Sequence, residues 1–270
     1  VKQYYWYKGK LVNSSQIQIS LDNPGLLYGA TVFTTLRVYE HNLDHHLTDW
    51  SSHCERIKNS LNFFGWNQPD WKQVRNGAKL LQEYFPVLRI TIFPDGGELI
   101  TGRVLPQNLP QMQTDGIAAR MVDGSLYRSF PQHKTGNYLA AWWAKISVCN
   151  SQPNCQEAIL IDEVGNWLET STGNLWGWGQ GCWWTPPLTG KILPGIGRSH
   201  IYSYLQTQNQ TIRENPWTPE IINQLETLAY TNSVVEIIPI HTVIHPCQQL
   251  QYNPHHASLE ILRRFFTTST

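Results

Sequence analysis

Leu105-Pro106-Gln107-Asn108-Leu109-Pro110-Gln111 carries two prolines, no charge and no hydrophobic period. Such a stretch reads as a linker and divides the chain. The 270 residues fall into an α+β lobe over 1–108, a linker over 109–114 and a second α+β lobe over 115–270. Working back from the linker, residues 87–93 predict a strand and 71–84 a helix. Leu47, Trp50, Cys54, Ile57 and Leu61 recur at three and four, which predicts an amphipathic helix ending at Gly65. Residues 32–39 predict a strand, and 3–18 a hairpin turning at Gly9. Working forward, strands are expected at 116–122 and 158–162, with a helix over 138–148 between them. Asp162-Glu163-Val164-Gly165-Asn166 is a hairpin turn, and Trp167-Leu168-Glu169 lies on the returning strand. A strand ends at Trp183-Trp184, a loop covers 190–197, and a helix follows over 198–206. A strand pair (228–231 and 236–240) and a final helix (257–266) complete the second lobe.

Composition narrows the function. Lys+Arg and Asp+Glu stand at 20 each, which argues against a strongly basic nucleic-acid binder or a polybasic membrane anchor. No apolar run approaches the ~18 residues of a membrane span. The first residues, Val1-Lys2-Gln3-Tyr4-Tyr5-Trp6, lack the pattern of a signal peptide. Cys54, Cys149, Cys155, Cys182 and Cys247 show no CxxC spacing and read as free thiols of a cytoplasmic protein. His45-His46, His255-His256 and the pair His241 and His245 lack ligand partners at a persuasive spacing, so no metal site is expected. The twelve Trp read mainly as packing mass.

The clearest anion site is Leu193-Pro194-Gly195-Ile196-Gly197-Arg198, a glycine-rich turn feeding a helix N-terminus. It matches neither the P-loop nor the dinucleotide fingerprint. Thr231-Asn232-Ser233 is a second polar break after a strand, which taken alone is an ordinary turn. His53 and Arg56 share one helix face. Lys134 stands in Phe130-Pro131-Gln132-His133-Lys134-Thr135-Gly136-Asn137-Tyr138, at a helix entrance. A loop lysine is usually solvent-facing, yet a desolvated one can form an imine with a carbonyl. Glu169 lies in Leu168-Glu169-Thr170-Ser171-Thr172-Gly173-Asn174-Leu175, and by itself reads as a solvated strand charge. Together, an imine-forming lysine, a carboxylate for a pyridinium nitrogen and several phosphate anchors suit pyridoxal 5'-phosphate.

In this order the segments resemble the fold-type IV family of pyridoxal phosphate enzymes, which includes branched-chain and D-amino-acid aminotransferases and 4-amino-4-deoxychorismate lyase. The matching stretches are 28–37, 53–60, 134–138, 157–175, 185–198 and 231–240, nearly the whole chain. The resemblance implies a two-domain α+β fold with the cofactor between the lobes, and a homodimer. It implies that Lys134 carries the cofactor, and that Glu169 faces the pyridine nitrogen. Arg56, Ile196, Gly197 and Ser233 fall where the family binds the phosphate, and Tyr138 near the ring hydroxyl. Gly197 replaces a frequent threonine, so only its backbone N–H can serve there. Phe93-Pro94-Asp95-Gly96-Gly97 replaces a frequent Arg-Gly turn, which leaves the substrate carboxylate contacts unassigned.

Thr34 follows Phe33 where aminotransferase branches usually carry glutamate. Phe33-Thr34-Thr35, Asn232 and the short chain resemble the lyase branch. The implied reaction converts 4-amino-4-deoxychorismate to 4-aminobenzoate and pyruvate, with Lys134 as base and Thr34 in the substrate pocket. A neutral Thr34 avoids the repulsion a glutamate would set against a dicarboxylate. The alternative is an aminotransferase for branched-chain or D-amino acids.

Overall fold

The computed structural model describes residues 3–122, 124, 126, 128–151, 154–245 and 248–267. Cys247 lies outside them. The chain forms two compact units, one of residues 1–106 and 133–138, the other of residues 107–132 and 139–270.

In the first unit the opening hairpin pairs β1 (Tyr4–Tyr7) with β2 (Lys10–Asn13) around the Lys8-Gly9 turn. A short helix α1 (Pro24–Tyr28) leads to β3 (Val32–Arg37). Then come α2 (Trp50–Phe64), α3 (Trp71–Gln82), β4 (Val87–Ile92) and β5 (Glu98–Arg103). The antiparallel sheet runs β2-β1-β5-β4-β3. Asp49 caps α2 by accepting from the Ser52 N–H, and Gly65 ends it in the left-handed conformation. The period read from sequence puts Cys54, Ile57 and Leu61 on the buried face. Burying Ile57 and Leu61 contributes roughly 1.5–3 kcal/mol each. They join Leu36, Val74, Leu81, Leu88 and Ile90 in one core.

The second unit opens with α4 (Leu109–Asp115), so the expected linker at 109–114 is a helix. Pro110 stands in its first turn, where proline removes no intrahelical hydrogen bond. Next come β6 (Ile117–Met121), α5 (Leu139–Ser151), β7 (Cys155–Ile161), β8 (Trp167–Thr170), β9 (Asn174–Gly179) and β10 (Cys182–Trp184). The chain continues through α6 (Ile196–Thr207), β11 (Ile212–Arg213), α7 (Pro219–Ile222), β12 (Thr227–Asn232), β13 (Glu236–His245), β14 (Gln248–Gln251) and α8 (Ser258–Thr267). The sheet order is β11-β10-β9-β12-β13-β6-β7-β8, with β14 on β13. Ile201 and Leu205 of α6 and Leu259 and Leu262 of α8 pack with Trp176 and Trp183. Ala144 and Val148 of α5 pack on Ala118, Ala158 and Leu160. Trp167, Trp176, Trp183 and Trp217 are wholly buried, in line with the packing role. Trp142 and Trp143 are instead exposed.

Candidate active site

The site residues gather in two groups, one in each unit. In the first, residues 133–138 are pinned along the start of β3. The Phe33 N–H donates to the Lys134 carbonyl at 2.8 Å, and the Gly136 N–H to the Thr31 carbonyl at 2.7 Å. Val32 and Thr135 form an antiparallel bridge. This pairing assigns residues 133–138 to the first unit, although the sequence reading put them in the lobe 115–270. Lys134 Nζ lies 4.8 Å from the Phe33 ring centre and 5.5 Å from that of Tyr138. The two rings meet edge to face at 5.8 Å. Arg89 of β4 sets its guanidinium 3.6 Å from the same Phe33 centre. Burial presses the Arg89 pKa downward, with Tyr138 opposing. An arginine so placed still carries its charge. Arg89 was not singled out in the sequence, because a charge at one strand position looks like any solvated edge residue.

Thr34 of β3 is wholly buried. The Arg56 Nη2 of α2 donates to its hydroxyl at 2.6 Å, and His53 Nδ1 stands 2.5 Å from the same oxygen. Arg56 can only donate, so Thr34 Oγ1 accepts from it and directs its own hydrogen to His53 Nδ1. Thr34 was expected in the substrate pocket. Position 34 shares the buried face of β3 with Val32 and Leu36. His53 and Arg56, three apart on one helix face, both reach Thr34, a convergence the spacing alone did not indicate.

In the second unit Glu169 is buried on β8. Its Oε1 accepts from Arg128 Nη2 at 2.6 Å. Its Oε2 accepts from the Leu193 N–H at 3.3 Å and from Asn174 Nδ2 at 3.5 Å. The solvated-edge reading of Glu169 alone therefore gives way to a buried, oriented carboxylate. Arg128 and Asn174 were missed. Asn174 lies five residues after Glu169, where the β8–β9 turn brings it back alongside. That turn needs Gly173, since a Cβ there would stand 2.4 Å from the Thr231 carbonyl oxygen.

The helix α6 begins at Ile196, with Gly195 as N-cap and no side-chain capping bond. The first N–H groups of such a helix, those of Ile196 and Gly197 among them, have no intrahelical acceptor. Gly197 faces the turn between β12 and β13, with space for a Cβ only 3.5 Å from the Asn232 backbone. Ser233 stands next to Asn232 in that turn, half-buried. Thr231 Oγ1 is buried with no hydrogen-bond partner among the described residues. The two anion sites read from sequence thus meet.

One unit offers a lysine amine among aromatic rings, and the other a buried carboxylate, an uncapped helix start and an orphaned hydroxyl, groups of the kinds that suit pyridoxal 5'-phosphate. Among the described residues no group of three or more His, Cys, Asp or Glu could hold a metal.

The fold and these donors define a fold-type IV pyridoxal phosphate enzyme. The family model for class IV aminotransferases matches residues 31–243, and the chain belongs to that family. Its cofactor is pyridoxal 5'-phosphate. The chain is 25% identical over 259 residues to a Methanocaldococcus jannaschii protein assigned as a branched-chain-amino-acid aminotransferase, covering 88% of this chain and 87% of that one. It is 24% identical over 261 residues to the aminodeoxychorismate lyase of Bacillus subtilis, covering 87% and 84%. A hypothetical aminotransferase of Mycobacterium tuberculosis, in its pyridoxal-phosphate-bound form, shares the fold with a TM-score of 0.79 at 15% identity, covering 98% and 97%.

Proposed function

We propose that the enzyme is a lyase that splits 4-amino-4-deoxychorismate into 4-aminobenzoate and pyruvate. The observation that carries this reading is the charge around Thr34. A neutral hydroxyl accepts from Arg56, and Arg89 and Lys134 both lie against the Phe33 ring. Such a cationic wall suits a substrate with two carboxylates, and Arg89 supplies the carboxylate contact that the Phe93–Gly97 turn does not.

Lys134 holds the cofactor, Tyr138 stands near its ring hydroxyl, and Glu169 keeps a proton on its pyridine nitrogen. Arg56, the N–H groups of Ile196 and Gly197, and Ser233 hold its phosphate. When bound, the cofactor supplies an electron sink for the carbon that carries the substrate amine. Lys134 Nζ removes the proton from that ring carbon. The electron pair left behind expels the enolpyruvyl oxygen, the ring becomes aromatic, and a proton returned to the enolpyruvate gives pyruvate. Thr34 acts through Arg56, holding the guanidinium without neutralising it.

No helix among the described residues is long and apolar enough to cross a membrane. The free thiols of Cys54, Cys149, Cys155 and Cys182 suit the reducing cytoplasm. A second copy of the chain is the proposed partner. Support comes from Leu139, Trp142 and Trp143 of α5, which are 68%, 53% and 49% exposed and form an apolar stripe.

The test offers the enzyme aminodeoxychorismate in one assay, and amino acids with 2-oxo acids in another. The lyase reading expects turnover in the first. Efficient keto-acid formation with aminodeoxychorismate untouched would make the enzyme an aminotransferase.

A further inference from the structure

The turn between β12 and β13 adopts a costly conformation. Glu236 sits at φ 61°, in the left-handed region that side chains disfavour. A turn so strained holds its shape only if its neighbours impose it. On one side Gln113 of α4 donates to the Val235 carbonyl at 3.0 Å and to Glu236 Oε2 at 3.1 Å. On the other side stands Asn232. Its Oδ1 accepts from the N–H groups of Val234 and Val235 at 2.9 and 3.0 Å. Its Nδ2 donates to the Thr172 carbonyl at 3.2 Å, across 60 residues of sequence.

Thr172 belongs to the turn that follows Glu169, and that turn is itself fastened. Glu157 of β7, fully buried, accepts from the Ser171 hydroxyl and, at 2.7 Å, from the Thr172 hydroxyl. Lys145 of α5 pairs with the same carboxylate at 3.1 Å. A continuous chain of polar contacts therefore runs from Lys145 and Glu157 through the β8–β9 turn to Asn232.

We propose that Asn232 is a positioning residue that ties the Glu169 hairpin to the loop bearing Ser233. The tie sets the phosphate-binding geometry relative to the carboxylate meant for the pyridine nitrogen. The amide does this in one side chain, its Oδ1 accepting twice from the loop while its Nδ2 donates to the hairpin. The inference rests on the cofactor placement proposed above.

The test compares pyridoxal 5'-phosphate with pyridoxal, which lacks the phosphate, for affinity to the full chain stripped of cofactor. Asn232→Ala removes both halves of the tie. Asn232→Ser keeps a short acceptor that can cap the turn but cannot reach Thr172. Ser233→Ala reports on the phosphate placement itself. Each Asn232 variant is expected to lower the preference for the phosphorylated form about tenfold, the equivalent of one ordinary hydrogen bond. Ser233→Ala should lower it too. Thermal unfolding of each variant separates this effect from loss of fold, which would weaken both ligands alike. Wild-type preference in Asn232→Ser, or in both Asn232 variants while Ser233→Ala is impaired, would overturn the tie and leave the site intact. Wild-type preference in Ser233→Ala would overturn the phosphate placement, and the tie with it.

Discussion

At position 34 a threonine hydroxyl, and not a carboxylate, lies 2.6 Å from the Arg56 guanidinium. A glutamate there would pair with Arg56 and set a negative charge against both the cofactor's phosphate and a dicarboxylate substrate. Thr34→Glu is therefore expected to lower turnover of a dicarboxylate substrate at least about tenfold, or roughly 1.4 kcal/mol in the barrier. Turnover equal to wild type would contradict the charge argument. His133, beside Lys134, offers a pH test. Its Nδ1 lies 3.0 Å from the Ser60 hydroxyl and its ring stacks on Phe63 at 4.2 Å. Desolvation lowers its pKa from the ordinary 6.5, so the unfolded chain binds a proton more readily than the folded one. The stability it contributes is present above pH 6.5 and is lost as pH falls toward the depressed folded pKa. Unfolding midpoints followed from pH 7.5 down should fall more steeply for the wild type than for His133→Gln. Parallel curves would mean His133 titrates alike in both states.

The elements that carry the site differ in how openly the sequence displays them. Residues 133–138 form a short edge on β3, and Lys134 projects from it toward Phe33 and Tyr138. Lys134→Ala is expected to abolish the covalent cofactor adduct that borohydride reduction traps, read by mass spectrometry. A trapped adduct of wild-type yield on another lysine would refute the assignment. The start of α6 was legible because Gly195 and Gly197 bracket it, and the Asp162–Asn166 turn because Asp162 and Gly165 favour turns. Asp162 accepts from the N–H groups of Val164 and Asn166, as that reading requires. β5 and β9 were not legible. Leu99-Ile100-Thr101-Gly102 and Leu175-Trp176-Gly177-Trp178 have apolar residues broken by glycine, and their pairing with distant strands decides their form. Helix α4 was hidden by Pro110, which signals a break unless the first turn of a helix is allowed for.

For the molecule as a whole, the sequence reading ends the first lobe at residue 108, whereas the first compact unit runs to residue 106 and takes up residues 133–138 as well. What could not be read is that the chain lends residues 133–138 back to the first unit. The hydrogen bonds to Thr31 and Phe33 reveal it, and these join positions about a hundred residues apart. The residues proposed for the site thereby fall in both units. Lys134, Tyr138, Arg56 and Thr34 stand in one unit, and Glu169, Ile196, Gly197 and Ser233 in the other.

The reaction is the central claim, and stoichiometry tests it most directly. Purified enzyme with pyridoxal 5'-phosphate and 4-amino-4-deoxychorismate should release 4-aminobenzoate and pyruvate in equal amounts, with no amino acceptor added. Release of neither product, alongside keto acids formed from amino acids, would contradict the lyase account.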